Sequence, residues 1–145
     1  MEPPYAGPPV VGPRIAAAGD VACDPASAAY QGGAGIGLAC RQRATSDLLV
    51  AEKYRAVLAL GDLQYEKGEE ATFLASYDPT WGRVKAITKP VPGNHEYETR
   101  DAVGYYAYFG PAAGDPTRGY YSFDVGAWHL VALNSNCSAV GGCSV

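Results

Sequence analysis

The chain has 145 residues, 48% of them hydrophobic, with a formal net charge of −4 and a pI near 5.0. This length is enough for one domain with its own core, and the hydrophobic content excludes an intrinsically disordered chain. The acidic balance, without any basic run, argues against a nucleic-acid partner. No apolar stretch reaches the length of a transmembrane helix. We therefore expect a folded domain that binds neither nucleic acid nor membrane, and its oligomeric state stays open.

Strands and helices are predicted to alternate along the chain, after a Pro/Gly-rich tail over residues 1–13. The sequence predicts strands at 14–19, 56–60, 89–91, 120–125 and 127–133, and helical segments at 42–54, 69–77, 81–87 and 102–109. Glycine and proline break any regular element over 20–40, which predicts a long loop. This order predicts an α/β layered fold: a βαβαβ unit followed by a β-hairpin.

Three further expectations concern packing. The continuous apolar run Ala56–Leu60 is typical of a parallel strand that is buried on both faces. Leu48 and Leu49 belong to the apolar stripe of the helix at 42–54, which should face the core. His129 alternates with apolar residues in its strand, which favours a packed, hydrogen-bonded histidine over a functional one.

Three of the apolar runs end in a glycine followed by side chains that can bind metal. They are residues 15–20, 57–65 and 91–96, with the motifs Gly19-Asp20, Gly61-Asp62-x-x-Tyr65 and Gly93-Asn94-His95-Glu96. The intervals between them allow one crossover each, and the carboxyl ends of parallel strands meet at one edge of a sheet. We therefore expect the five side chains of Asp20, Asp62, Tyr65, Asn94 and His95 to converge. Oxygen- and nitrogen-rich clusters of this kind bind divalent or trivalent metals.

Such a cluster has a definite chemistry. Two aspartates at neighbouring strand ends can hold two cations, which clamp a phosphoryl group and activate a bound water. Asn94 adds a neutral oxygen ligand, and His95 could protonate the leaving alkoxide. Glu96 could orient the His95 imidazole or raise its pKa. A single Gly-Asp step is more often a turn or a helix cap, so the prediction depends on the three motifs occurring together.

The four cysteines are Cys23, Cys40, Cys137 and Cys143, and they allow three disulfide connectivities. The local option pairs Cys23 with Cys40 and Cys137 with Cys143, and each bridge closes a loop with little apolar surface. The alternative is four reduced, buried thiols. Disulfides imply an oxidising compartment, so we expect an extracellular or periplasmic protein, although residues 1–13 do not read as a secretory signal.

The three motifs resemble the first three motifs of calcineurin-like metallophosphoesterases. Most of that superfamily has a histidine where Ala22 stands, whereas the purple acid phosphatase branch lacks it and has a tyrosine at the position of Tyr65. Residues 121–134 are also similar to the hairpin that follows the third motif in that branch. The resemblance implies a layered metallophosphoesterase-type sandwich and a dinuclear centre of two divalent or trivalent ions, Fe with Zn, Mn or Fe.

The resemblance also implies residue roles and a reaction. Asp20 and Tyr65 would bind the first metal, Asp62 would bridge both, Asn94 would bind the second, and His95 would act as acid or orient the substrate. The expected activity is hydrolysis of phosphoric monoesters by a metal-bound hydroxide, on a phosphorylated small molecule or another phosphoester.

One departure from the family pattern limits this expectation. The family completes its site with a lone histidine and a Gly-His-x-His motif, but this chain has only two histidines, His95 and His129. We therefore interpret residues 14–145 as the N-terminal portion of such a domain, without its C-terminal half, and expect weak metal binding and little turnover. Two alternatives stay open: a phosphodiesterase, and a noncatalytic, disulfide-stapled binding module that retains the motifs.

Overall fold

A computed structural model of the chain describes residues 12–142, so residues 1–11 of the predicted tail lie outside it. The strands are β1 (Ile15–Ala18), β2 (Ala56–Leu60), β3 (Thr88–Val91), β4 (Tyr121–Val125) and β5 (Trp128–Ala132). The α-helices are α1 (Gln42–Ala51), α2 (Glu70–Thr72), which continues as a π-helix over Phe73–Tyr77, and α3 (Val103–Phe109). Short 3₁₀ segments cover Gln31–Gly33, Trp81–Ile87, Glu96–Glu98, Arg100–Ala102, Gly110–Ala113 and Cys137–Val140.

A three-stranded parallel sheet, in the order β1-β2-β3, forms the centre of the domain. Val57 in β2 pairs with Ala16 in β1 and with Thr88 in β3. β4 and β5 form an antiparallel hairpin in which Tyr121 pairs with Ala132. The prediction of a mixed α/β fold with parallel strands followed by a hairpin is confirmed.

The core lies between the parallel sheet and the helical segments, and it is largely aromatic. Phe73 and Tyr77 are four residues apart and both are fully buried. Phe73 stacks on Tyr108 with ring centroids 5.0 Å apart, and Tyr77 meets Phe109 edge to face at 5.6 Å. Such pairs add about 0.5–1.5 kcal/mol each beyond the burial of area. These aromatic contacts hold the helical segments together in the core, away from the carboxyl ends of the strands, where the polar residues lie.

Helix α1 buries a different face from the predicted one. Leu49 is buried as expected, but Leu48 is 69% exposed, and the other buried side chains of the helix are Gln42 and Ser46. The amide of Gln42 donates a hydrogen bond from Nε2 to Ser76 Oγ at 3.1 Å, which allows a polar residue to be buried here.

The expected burial of β2 on both faces is wrong for the described part of the chain. Val57 and Ala59 are buried against the helical segments, but Leu60 on the other face is 55% exposed. Val131 and Leu133 in and after β5 are also exposed, and together with Leu60 they line a shallow apolar groove. His129 is likewise exposed rather than packed, and its Nδ1 donates to Asp124 at 2.7 Å.

Cys23 and Cys40 form a disulfide with a Cα–Cα distance of 5.3 Å, as the local pairing predicts. The second predicted bridge involves Cys143, which lies outside the described residues. Within residues 12–142, none of the helices combines the length and the apolar character needed to cross a lipid bilayer.

Candidate metal centre

The three glycine-led loops meet directly beyond the carboxyl ends of the parallel strands. A Cβ atom on Gly19 would lie 3.1 Å from the Gly61 carbonyl oxygen, and one on Gly61 would lie 3.0 Å from the Gly93 Cα. Contacts this short are tighter than most Cβ contacts and would push the neighbouring backbone aside, so the three loops pack backbone against backbone. The three loops that carry the predicted side chains therefore lie side by side in the structure.

The parallel hydrogen-bond ladder continues past the strand ends and fixes the first two loops to each other. The Val21 amide donates to the Asp62 carbonyl at 3.0 Å, and the Ala22 amide donates to the Leu63 carbonyl at 3.1 Å. Asp20 and Asp62 both have left-handed backbone conformations, with φ of 54° and 50°. This conformation is unfavourable for residues with a Cβ atom and is concentrated at functional sites.

Asp20 and Tyr65 are in direct contact. The Tyr65 hydroxyl donates to Asp20 Oδ1 at 2.5 Å. Burial raises the pKa of the Tyr65 phenol above its usual value, and the hydrogen bond to Asp20 and the negative charges of Asp20 and Asp62 raise it further. The side-chain oxygens of two neighbouring loops therefore meet at one point, where they share a proton. A cation at that point would stabilise the phenolate that the carboxylates disfavour.

Asp62 connects the second and third loops. Its Oδ1 accepts a hydrogen bond from the His95 amide at 3.1 Å. A Cβ atom on Gly93 would overlap the Asp62 carboxylate, so only glycine fits at that position. Asn94, between Gly93 and His95, is exposed. Asp62 thus lies where it can contact both the Tyr65 side and the Asn94 side of the cluster.

The imidazole of His95 is fixed by the backbone rather than by Glu96. Its Nδ1 donates to the Glu66 carbonyl oxygen at 2.5 Å, and its ring lies edge-on to Tyr65 with centroids 4.4 Å apart. The carbonyl of Glu66 raises the pKa of His95, while partial burial opposes that shift and the nearby carboxylates add to it. Because a carbonyl only accepts, Nδ1 carries the proton in this bond and Nε2 is the nitrogen left for chemistry.

Glu96 is fully buried and binds the backbone of two loops. Its Oε1 accepts hydrogen bonds from the amides of Leu63 and Gln64 at 2.8 and 3.1 Å, and its Oε2 accepts one from the Gly93 amide at 2.7 Å. Burial raises the pKa of this carboxyl, and the three amides oppose the shift. Glu96 therefore does not orient the imidazole, but its charge adds to the rise in the pKa of His95, the other expected role. Its hydrogen bonds clamp together the loops that carry Asp62 and Asn94.

Two supporting residues could not be identified from the motifs. Gln64 is fully buried, and its Nε2 donates to the carbonyls of Cys23 and Tyr65 at 3.0 and 2.8 Å. It therefore joins the disulfide-bonded loop to the loop of Tyr65. Glu66 orients His95 through its carbonyl, for which sequence gives no signal, and its charge adds to the rise in the pKa of His95. Gln64 stands among other polar residues, so its burial has no local signal either.

The donors present fit a metal in type but are few in number. Carboxylate and phenolate oxygens suit hard cations such as Fe³⁺, and Asp20, Asp62 and Tyr65 provide them together. Within residues 12–142 there is no group of three or more His, Cys, Asp or Glu side chains that could hold a metal ion. Of the four predicted ligands only the two aspartates belong to those residue types, the others being Tyr65 and Asn94.

Comparison with known proteins does not assign the chain to a family. No protein-family model matches it, and no curated protein does. The interpretation of the site therefore depends on its own geometry.

Proposed function

We propose that this chain carries the first part of a dinuclear metal centre and belongs to the purple acid phosphatase-like branch of the calcineurin-like metallophosphoesterases. The proposed activity is metal-dependent hydrolysis of phosphoric monoesters. One observation supports it most: the Tyr65 hydroxyl lies 2.5 Å from Asp20 Oδ1, at a strand-end cluster that also contains Asp62. The parallel sheet followed by a hairpin is compatible with one half of a layered sandwich of that type.

The proposed roles follow from the contacts of each residue. Asp20 and Tyr65 would hold a first cation, Asp62, which contacts the His95 loop, would be shared with a second, and Asn94, in that loop, would offer it an oxygen ligand, as the resemblance implies. Bound cations would neutralise charge on the phosphoryl oxygens and lower the pKa of the attacking water. His95, oriented by the Glu66 carbonyl, presents Nε2 as the proton donor to the leaving oxygen.

Four side-chain ligands for two cations are fewer than a catalytic pair usually has. The second histidine of the chain, His129, lies on the hairpin and pairs with Asp124, so it adds no imidazole to the cluster. We therefore propose that this chain binds metal weakly and turns over slowly at most. A phosphodiesterase and a noncatalytic binding module are the rival functions, and metal stoichiometry separates the module from the enzymes.

The proposed substrate is a phosphorylated small molecule. The proposed location is extracellular or periplasmic, which is supported by the Cys23–Cys40 disulfide, since such bonds persist in oxidising compartments.

Iron binding tests the proposed function. The chain is titrated with Fe³⁺, and its visible absorption and bound iron are measured for the wild type and for Tyr65→Phe. A ferric phenolate gives a charge-transfer band, so we expect a coloured protein that loses its colour when the Tyr65 hydroxyl is removed. Tyr120→Phe is the matched control, because Tyr120 is exposed and lies outside the cluster.

Three outcomes would count against the proposal. Colour that persists in Tyr65→Phe would reject that residue as a ligand. No bound metal at all would favour the noncatalytic module. Rapid phosphatase turnover by the metal-loaded chain would contradict the expectation that these four ligands are too few.

A further inference from the structure

A pocket of about 290 Å³ opens beside the candidate metal ligands Asp20 and Tyr65. We propose that it binds the organic part of the ester and selects phosphomonoesters that carry a second anionic group, which Arg41 binds. The inference rests on the proposed function for the position of the phosphoryl group, which would lie at the end of the pocket near Asp20. The pocket is at the small end of ligand sites, which begin at about 300 Å³, so it suits one ring or a short carbon chain.

Arg41 is held at a fixed place relative to the candidate metal site. The loop that follows Asp20 contains Cys23, which is joined by the disulfide to Cys40, the residue directly before Arg41. The Cys23 carbonyl is also bound by Gln64, next to Tyr65. The wall of the pocket is thus tied covalently and by hydrogen bonds to the loops of the proposed metal ligands.

The guanidinium of Arg41 is left without a charged partner by the described residues. Arg14 pairs with Glu52 at 2.5 Å and Arg83 pairs with Asp47 at 2.7 Å. In contrast, Arg41 forms no ion pair within residues 12–142, and its Nη1 donates only to the Gly37 carbonyl, at 3.5 Å. Most N–H groups of the Arg41 guanidinium are therefore available to a ligand. The planar arrangement of these donors matches a carboxylate or a phosphate.

The other walls of the pocket suit a small carbon skeleton with a polar substituent. Leu38 and Trp81 both line the pocket; Leu38 is 99% exposed, whereas Trp81 is buried. A fully exposed apolar side chain beside a pocket is a surface that a ligand can cover. Gln42 and Thr45 supply the polar part of the lining, while the Oε1 of Gln42 is itself buried and has no hydrogen-bond partner among the described residues.

Charge fixes the direction in which a substrate would lie. Asp20 is the carboxylate that lines this pocket, and Arg41 is the cation, in the part of the chain that the structure describes. An anionic group near Asp20 is repelled unless a cation is bound there, whereas one near Arg41 is attracted. An ester with a second anionic group therefore places its phosphoryl group at the proposed metal ligands and its other anionic group at Arg41.

A pair of esters tests the proposal by equilibrium binding. Phenyl phosphate and 4-carboxyphenyl phosphate are titrated calorimetrically into the Zn²⁺-supplemented chain, for the wild type, Arg41→Gln and Arg43→Gln. We expect the carboxylated ester to bind about two- to fivefold more tightly to the wild type, the range for a charge pair at an exposed guanidinium. Arg41→Gln removes this preference. Arg43→Gln keeps it, because Arg43 is an exposed arginine two residues away that does not line the pocket.

The outcomes separate this inference from the proposed function. Equal affinities for the two esters, or a preference that survives Arg41→Gln in a variant with wild-type circular dichroism, would overturn the subsite, and so would failure of both esters to bind. If the ferric colour of Tyr65 is present while the preference is absent, only the subsite fails. If the preference depends on Arg41 while no iron binds, the subsite stands and the proposed function fails.

Discussion

Glu96→Ala is expected to destabilise the domain strongly, because three backbone amides lose their acceptor. Each hydrogen bond to a charged group contributes roughly 1.5–3 kcal/mol, which gives a gross loss of about 5–9 kcal/mol for the amides of Leu63, Gln64 and Gly93. The variant no longer buries a carboxylate, which recovers several kcal/mol. We expect a net decrease of about 2–4 kcal/mol in the free energy of unfolding.

Glu96→Gln refines this prediction. The amide oxygen of glutamine can still accept from Leu63 and Gln64, but its NH₂ group would face the Gly93 amide, so one N–H loses its partner. The expected loss is about 1–3 kcal/mol, smaller than that of the alanine variant. Urea unfolding followed by circular dichroism measures both. Glu98→Ala, an exposed neighbour in the same 3₁₀ segment, is the control. A loss below about 0.5 kcal/mol for Glu96→Ala, as for ordinary surface sites, would refute the clamp.

Two further predictions concern stability. Replacing both Cys23 and Cys40 by serine is expected to lower the free energy of unfolding by roughly 3 kcal/mol, because the bridge closes a loop with a sequence separation of 17; unchanged urea unfolding would contradict this. Burial raises the pKa of Tyr77 well above the value of about 10 that an unfolded tyrosine has, so above pH ~10 the unfolded state loses this proton and the folded state keeps it. Stability is therefore full below that pH and falls above it, as urea unfolding across this range measures. Tyr77→Phe should reduce the fall and cost little at neutral pH, since the described residues give the Tyr77 hydroxyl no hydrogen-bond partner; an identical alkaline loss in that variant would reject the assignment.

The strands and the convergence of the loops could be predicted because local signals decide them. The apolar run of β2 has the observed bounds Ala56–Leu60, and the glycines at the strand ends mark where backbone approaches backbone. The spacing of the motifs allows one crossover between successive strands, and the carboxyl ends of parallel strands lie at the same edge of the sheet.

Contacts distant in sequence decided the features that were not predicted. The periodicity of α1 placed Leu48 on the core side. In the structure the amide of Gln42 donates to Ser76, which is 34 residues away in sequence, and this bond allows the face with Gln42 to be buried. Likewise, sequence placed Glu96 beside His95, whereas the carboxylate instead reaches amides 32 and 33 residues earlier. A local sequence pattern holds no information on partners more than 30 residues away, so the hydrogen-bond partners of these side chains could be identified only from the structure.

The left-handed backbone of Asp20 and Asp62 has a consequence for any attempt to improve this domain. A residue with a Cβ atom in that conformation loses up to roughly 1–2 kcal/mol, less for aspartate, whose short side chain can hydrogen-bond locally, and glycine avoids this loss. A thermostability screen would therefore favour glycine at both positions, and the selected variants would be more robust while lacking both carboxylates. Selection for melting temperature alone would thus erase the candidate centre, so engineering of this scaffold needs metal retention as a second criterion.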